Sequence, residues 1–145
     1  MIFYWDVVYF VLIKKIGERK GDAMADNEPL LTKDDYINVK EALARVRDNK
    51  KLFRRMLGLF MESGEFANLE DNLMQRDYSK AADAAHAIKG MTGNLSLTEL
   101  FKISTRMMEE LRQGIASEET QADFRAAYGQ TRIYVEEVMQ ELDSQ

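Results

Sequence analysis

Apolar residues recur at three- and four-residue spacing along most of this chain, and the polar links between successive stripes are only about two to four residues long. That spacing marks amphipathic helices, and links so short make consecutive helices antiparallel neighbours. Thr32 can cap a first helix carrying Tyr36, Val39, Leu43 and Val46 on one face, with Asp48-Asn49 as the following turn. A second helix is expected from about Lys50 to Gln75, showing Phe53, Leu57 and Phe60 and then Ala67 and Leu73, with a bend at Ser63-Gly64. Asp77 or Ser79 caps a third, which ends near Gly93-Asn94 as a C-cap pair. Ser96-Leu97-Thr98-Glu99 reads as a capping box for a fourth, with Leu100, Ile103, Met107 and Leu111 inward and a stop at Gln113-Gly114. Ser117 caps the last, whose first turn holds Glu118 and Glu119 and whose inner line is Phe124, Ala127, Thr131, Val135, Val138 and Leu142. The expected fold is all-α, an up-and-down antiparallel four-helix bundle with an additional N-terminal helix.

At 145 residues the chain is long enough for one domain with a substantial core. It has no cysteine, which removes disulfides, thiolate catalysis and most zinc sites. Its single histidine is too few for a carboxylate di-iron site in a bundle, so no metal site is expected. A formal charge of −5 argues against nucleic acid as the main partner. Neither a GxxxxGK[ST] loop nor a GxGxxG after a strand occurs. There is no room for the ATP-binding domain of a histidine kinase, and no strands from which to build a receiver domain.

Residues 1–23 form an apolar and then basic extension, beginning MIFYWDVVYFVLI. The apolar run is shorter than the ~20 residues a membrane helix needs and is interrupted by Asp6. Its basic residues follow the apolar run, the reverse of a signal peptide. It can be read as an interfacial anchor over residues 1–20, as an element packed on the domain, or as a stretch outside the functional domain with translation starting at Met24. The last reading is preferred. Residues 24–31 are expected to be a flexible lead-in, and 32–145 the helical domain.

The only histidine, His86, lies in Ala85-His86-Ala87-Ile88-Lys89-Gly90-Met91-Thr92-Gly93-Asn94-Leu95. At roughly 100° per residue, Ala81, Ala84, Ile88, Met91 and Leu95 share one side of the helix. His86 points the other way, in a stripe with Ser79, Ala82, Gly90 and Gly93, flanked by Asp83 and Lys89. A glycine in an exposed helix costs roughly 0.5–1 kcal/mol relative to alanine, so Gly90 calls for a reason. Clearance is one: with only a methyl at Ala82 and nothing at Gly90, another protein could bring its active site onto the imidazole. Lys89 has no acid three or four residues away, and an unpaired ammonium beside an imidazole suits a group that becomes an anion. Asp83 is expected to pair with Lys80. Gly93 is expected to act as a helix C-cap.

Ala85-His86-x-x-Lys89-Gly90 followed by Gly93-Asn94-Leu95 resembles the signature of histidine-containing phosphotransfer (HPt) domains, which shuttle phosphoryl groups between receiver aspartates in two-component phosphorelays. The resemblance implies that His86 is phosphorylated on its outer nitrogen, that Lys89 neutralises phosphoryl charge, and that Gly90 makes room for the partner. Ala82, Asp83 and Gly93 complete the docking surface expected around them. Ser96 stands where many members carry glycine, and Met91 replaces a smaller residue.

These residues point to a phosphoryl carrier rather than an enzyme, a cytoplasmic and monomeric protein with no cofactor of its own. Its expected partners are response-regulator receiver domains, which would supply Mg2+, and a hybrid sensor histidine kinase. The competing readings are a helical docking module that binds such proteins without carrying phosphate, and an adaptor tethered to a membrane by residues 1–20.

Overall fold

The computed structural model describes residues 30–145, and all regular structure in that span is helical. The expected anchor over 1–20, the start at Met24 and most of the lead-in lie outside the described residues. No helix among the described residues is long and apolar enough to cross a membrane.

The first expected helix is two. Helix α1 (Lys33–Tyr36) begins at Thr32, whose N–H and hydroxyl both donate to the Asp35 carboxylate, at 2.7 and 3.0 Å. Ile37 then turns extended and is 1% exposed, so the break lets it reach the core. Helix α2 (Val39–Arg45) restarts under Asn38, whose side chain accepts from the Glu41 N–H at 3.1 Å.

Asn49 caps α3 (Lys50–Glu62) by accepting from the Leu52 N–H. The expected long second helix ends at Ser63, and Ser63-Gly64 breaks it rather than bending it, so that α4 spans Glu65–Met74. Two non-helical residues reset the helical phase. Phe66 and Leu69 therefore face the core, while Ala67, expected inward, is exposed. Phe66 stacks on Tyr128 at 3.9 Å between centroids and meets Phe60 edge-on at 5.4 Å, which ties α3 and α4 to the last helix.

Helices α5 (Tyr78–Asn94), α6 (Thr98–Arg112) and α7 (Glu118–Asp143) complete the bundle. Asp77, not Ser79, caps α5, accepting from the Lys80 N–H at 3.1 Å. Ser117 caps α7 by accepting from Thr120. The residues that the spacing predicts as inward are buried on α6 (Leu100, Ile103, Met107, Leu111) and on α7 (Phe124, Ala127, Thr131, Val135, Val138), joined by Ser104, Met108, Thr120 and Gly129, whereas Leu142 is only half-buried. Helix α5 packs along α6 and against α4, and α7 packs against α6 and α3.

Four helix ends close through a residue at positive φ: Arg47 (53°), Arg76 (56°), Ser96 (54°) and Gly114 (75°). At each, the next N–H reaches back five residues to the last turn, as Leu97 does to the Thr92 carbonyl at 2.9 Å. This corrects two expectations. Helix α5 runs through Gly93 and Asn94, and its left-handed cap is Ser96. Ser96 does not open α6 as a capping box; the N-cap of α6 is Leu97, which offers no side-chain cap. A glycine would adopt this left-handed φ without the steric cost that Ser96 bears, as Gly114 does at the end of α6.

Candidate functional site

Helix α5 is the centre of the site because it is small-sided. Ala81, Ala84, Ala85 and Ile88 bury one side closely against the neighbouring helices, and Thr92 seals the end of that side. The Thr92 hydroxyl donates to the carbonyls of Ile88 and Lys89 at 2.9 and 3.0 Å, so its burial leaves no polar atom unpaired.

On the opposite side His86 is exposed, and its ring makes no hydrogen bond or ion pair with any described residue. One turn on, Gly90 is also exposed, and a β-carbon placed there would meet nothing within 4 Å. Ser79, Asp83 and Asn94 share this face. The surface one turn C-terminal to His86 is therefore open.

Lys89 lies at the edge of that face, half-buried, with no described carboxylate in ion-pair range. Its Nζ sits 5.9 Å from the centre of the Phe101 ring. The same ring rests on Gly93, where a β-carbon would come within 3.3 Å of Phe101 Cε2. Gly93 is thus not a helix cap but a close-approach position for an aromatic ring of α6.

Two other expected placements are corrected. Ala82 is 4% exposed, so it cannot form part of a surface that another protein touches. It lies at the border of the apolar stripe and belongs to the buried core cluster. Asp83 does not pair with Lys80. The lysine instead leans toward the helix N-terminus and lies 3.9 Å from Asp77. Asp83 stays exposed on the His86 face.

The loop after α5 is held from outside the helix pair. The Ser96 carbonyl accepts from the Asn38 N–H at 3.0 Å, and the Ser96 hydroxyl donates to Glu41 Oε1 at 2.9 Å. Arg45 donates to the same Glu41 oxygen at 2.8 Å. The Arg45 hydrogen bond, followed by that of Ser96, holds the Glu41 carboxyl below its ordinary range.

A family model of the Hpt domain matches residues 55–145. The chain belongs to the Hpt domain family. No curated protein and no solved structure matches it. Hpt domains are phosphocarriers of two-component signalling that interact with receiver domains and kinases. The matched span of this Hpt protein holds His86, Lys89, Gly90, Gly93 and Phe101. Asn38 and Glu41, which fasten the end of the histidine helix, precede it.

Phe101 and Glu41 are the residues that reading the sequence missed. Phe101 carried a signal: it is a large aromatic just off the inward line Leu100, Ile103 and Met107. Glu41 carried none, because its link to Ser96 spans 55 residues.

Proposed function

We propose that this Hpt protein carries a phosphoryl group on His86 between receiver-domain aspartates. The observation that supports the reading best is an exposed, unpartnered imidazole one turn from the open ground at Gly90, with the Lys89 ammonium lacking any described carboxylate beside it. An aspartyl phosphate is a strong phosphoryl donor, so the carrier needs only a positioned nucleophile. The outer imidazole nitrogen attacks phosphorus, the bond to the aspartyl oxygen breaks, and the carboxylate departs with its electron pair. The ring proton on the other nitrogen is shed on return to neutrality. Lys89 balances the anionic phosphoryl on the ring.

His86 has no described base or backbone donor array around it, so charge stabilisation in the transition state is assigned to the receiver and the Mg2+ bound there. Asp83 and Gly90 belong to the surface the receiver covers. A hybrid sensor kinase with its own receiver would be the upstream donor, and the protein would act as a monomer in the cytoplasm.

The test is transfer of radiolabel from a panel of phosphorylated receiver domains to the wild type and to His86→Gln. Label should reach the wild type alone, and be lost in acid but kept in base. Receivers that bind the wild type without passing label to it would replace this reading with that of a docking module.

A further inference from the structure

Lys89 has a long flexible stem, and a free ammonium on such a stem samples many rotamers. Here its one described partner is an aromatic face. The Phe101 ring lies 5.9 Å from Nζ, and at 36% exposure the ring is wetted on one side and packed on the other. What it packs on is Gly93, four residues beyond Lys89 on the same helix face. The absent side chain at Gly93 lets the ring lie low over α5, at the height that a lysine stem one turn away can reach. The neighbouring Leu100 is fully buried and anchors this turn of α6, so the ring's place is fixed by the core beneath it.

From this geometry we infer that Phe101 is a positioning residue for Lys89: seated on Gly93, it confines the ammonium to the edge of the His86 face. This rests on the phosphoryl-carrier reading, in which Lys89 meets the anion. Phe101 acts through Lys89 and not by touching the receiver. An aromatic face attracts a cation without neutralising it, so the ammonium keeps its full charge for the phosphoryl. A carboxylate in the same place would hold Lys89 as firmly and cancel that charge.

The experiment uses the full chain with Phe101→Leu, Phe101→Tyr, Lys89→Ala and the Phe101→Leu/Lys89→Ala double variant, each first shown to keep the wild-type helical circular dichroism and melting behaviour. Two readouts are taken. In the unphosphorylated protein, the Lys89 ε-methylene protons should resonate upfield of those of Lys80, whose side chain is 73% exposed. The displacement should persist in Phe101→Tyr and vanish in Phe101→Leu. In single-turnover transfer from a labelled receiver, Phe101→Leu should be slower by about two- to fivefold, the weight of an exposed cation–π contact. Phe101→Tyr should restore the rate, and Phe101→Leu should add nothing once Lys89 is alanine.

A Lys89 resonance indistinguishable from Lys80 in the wild type would overturn the inference. So would an undiminished effect of Phe101→Leu in the Lys89→Ala background, which would make Phe101 a direct docking contact. Failure of the carrier reading looks different: no label on the wild type, or label retained by His86→Gln, with the ring-shifted Lys89 resonance intact.

Discussion

Phe101 occupies the space that Gly93 leaves empty: a β-carbon on Gly93 would stand 3.3 Å from Cε2 and 3.4 Å from Cδ2 of the ring. The contact joins the histidine helix to its successor at the edge of the exposed His86 face. In the inferred arrangement, Gly93 acts on Lys89 only through the ring it seats.

Gly93→Ala is therefore expected to fold and to separate stability from transfer. Alanine in a helix interior gains up to ~1 kcal/mol over glycine, and the half-exposed ring can give way by a few tenths of an ångström. Thermal melting should show a midpoint no lower than wild type, while the Lys89 methylene shift and the transfer rate move in the direction of Phe101→Leu. A wild-type shift and rate would show that the close approach at Gly93 has no bearing on Lys89.

Gly90 differs, because nothing stands near it. Gly90→Ala should raise stability by roughly 0.5–1 kcal/mol through helix propensity alone. Gly90→Leu should melt close to wild type and yet lose receiver binding in calorimetry, since its side chain would occupy the clearance beside His86. Wild-type affinity of Gly90→Leu would remove the clearance argument.

Ala82 should respond in the opposite way. It is buried, so Ala82→Leu overpacks the interface and should cost about 1–3 kcal/mol in denaturant unfolding. Asp83→Asn, on the exposed side of the same turn, should leave the unfolding curve unchanged. Equal tolerance at both positions would contradict the burial of Ala82.

The Glu41 carboxyl, held low first by Arg45 and then by Ser96, favours the folded state when ionised. A depressed carboxylate contributes its stabilisation fully above the ordinary glutamate range of about 4 to 4.5, and loses it as pH falls through the lower folded value. In an NMR titration Glu41 should therefore show a midpoint below that range, and the Ser96 resonances should move with it. Glu41→Gln should abolish the shared transition at Ser96. A midpoint at or above the ordinary range would mean that the Arg45 and Ser96 contacts are not populated in solution.

Arg76 takes a left-handed conformation at the end of α4 with φ of 56°, which costs an L-residue roughly 1–2 kcal/mol in sterics. Arg76→Gly removes that cost but adds freedom to the unfolded chain, so a net gain of about 0.5–1 kcal/mol is expected in chemical denaturation. Loss of stability would mean that the Arg76 side chain makes a contact worth more than the strain.

The apolar spacing by itself determined the helical class and the main apolar line of α6 and α7, because burial on a long uninterrupted helix follows its 3.6-residue period; the small or polar Ser104, Thr120 and Gly129 were buried without an apolar signal. The exposed side of α5 was legible for the same reason: Ile88 and Ala84 fix the inward direction, and His86 and Gly90 must then face out. Periodicity fails where the period is interrupted. The breaks at Ile37-Asn38 and Ser63-Gly64 reset the phase, which moved Ala67 to the surface and brought Ile37 inside. It also fails at the borders of a stripe, where the neighbouring helix decides whether a short side chain such as Ala82 is covered. The close approach of Phe101 to Gly93, its hold on Lys89 and the bond from Ser96 to Glu41 were decided by tertiary structure alone. Each joins residues of separate elements, and an element's own sequence carries no record of the distance to its neighbour.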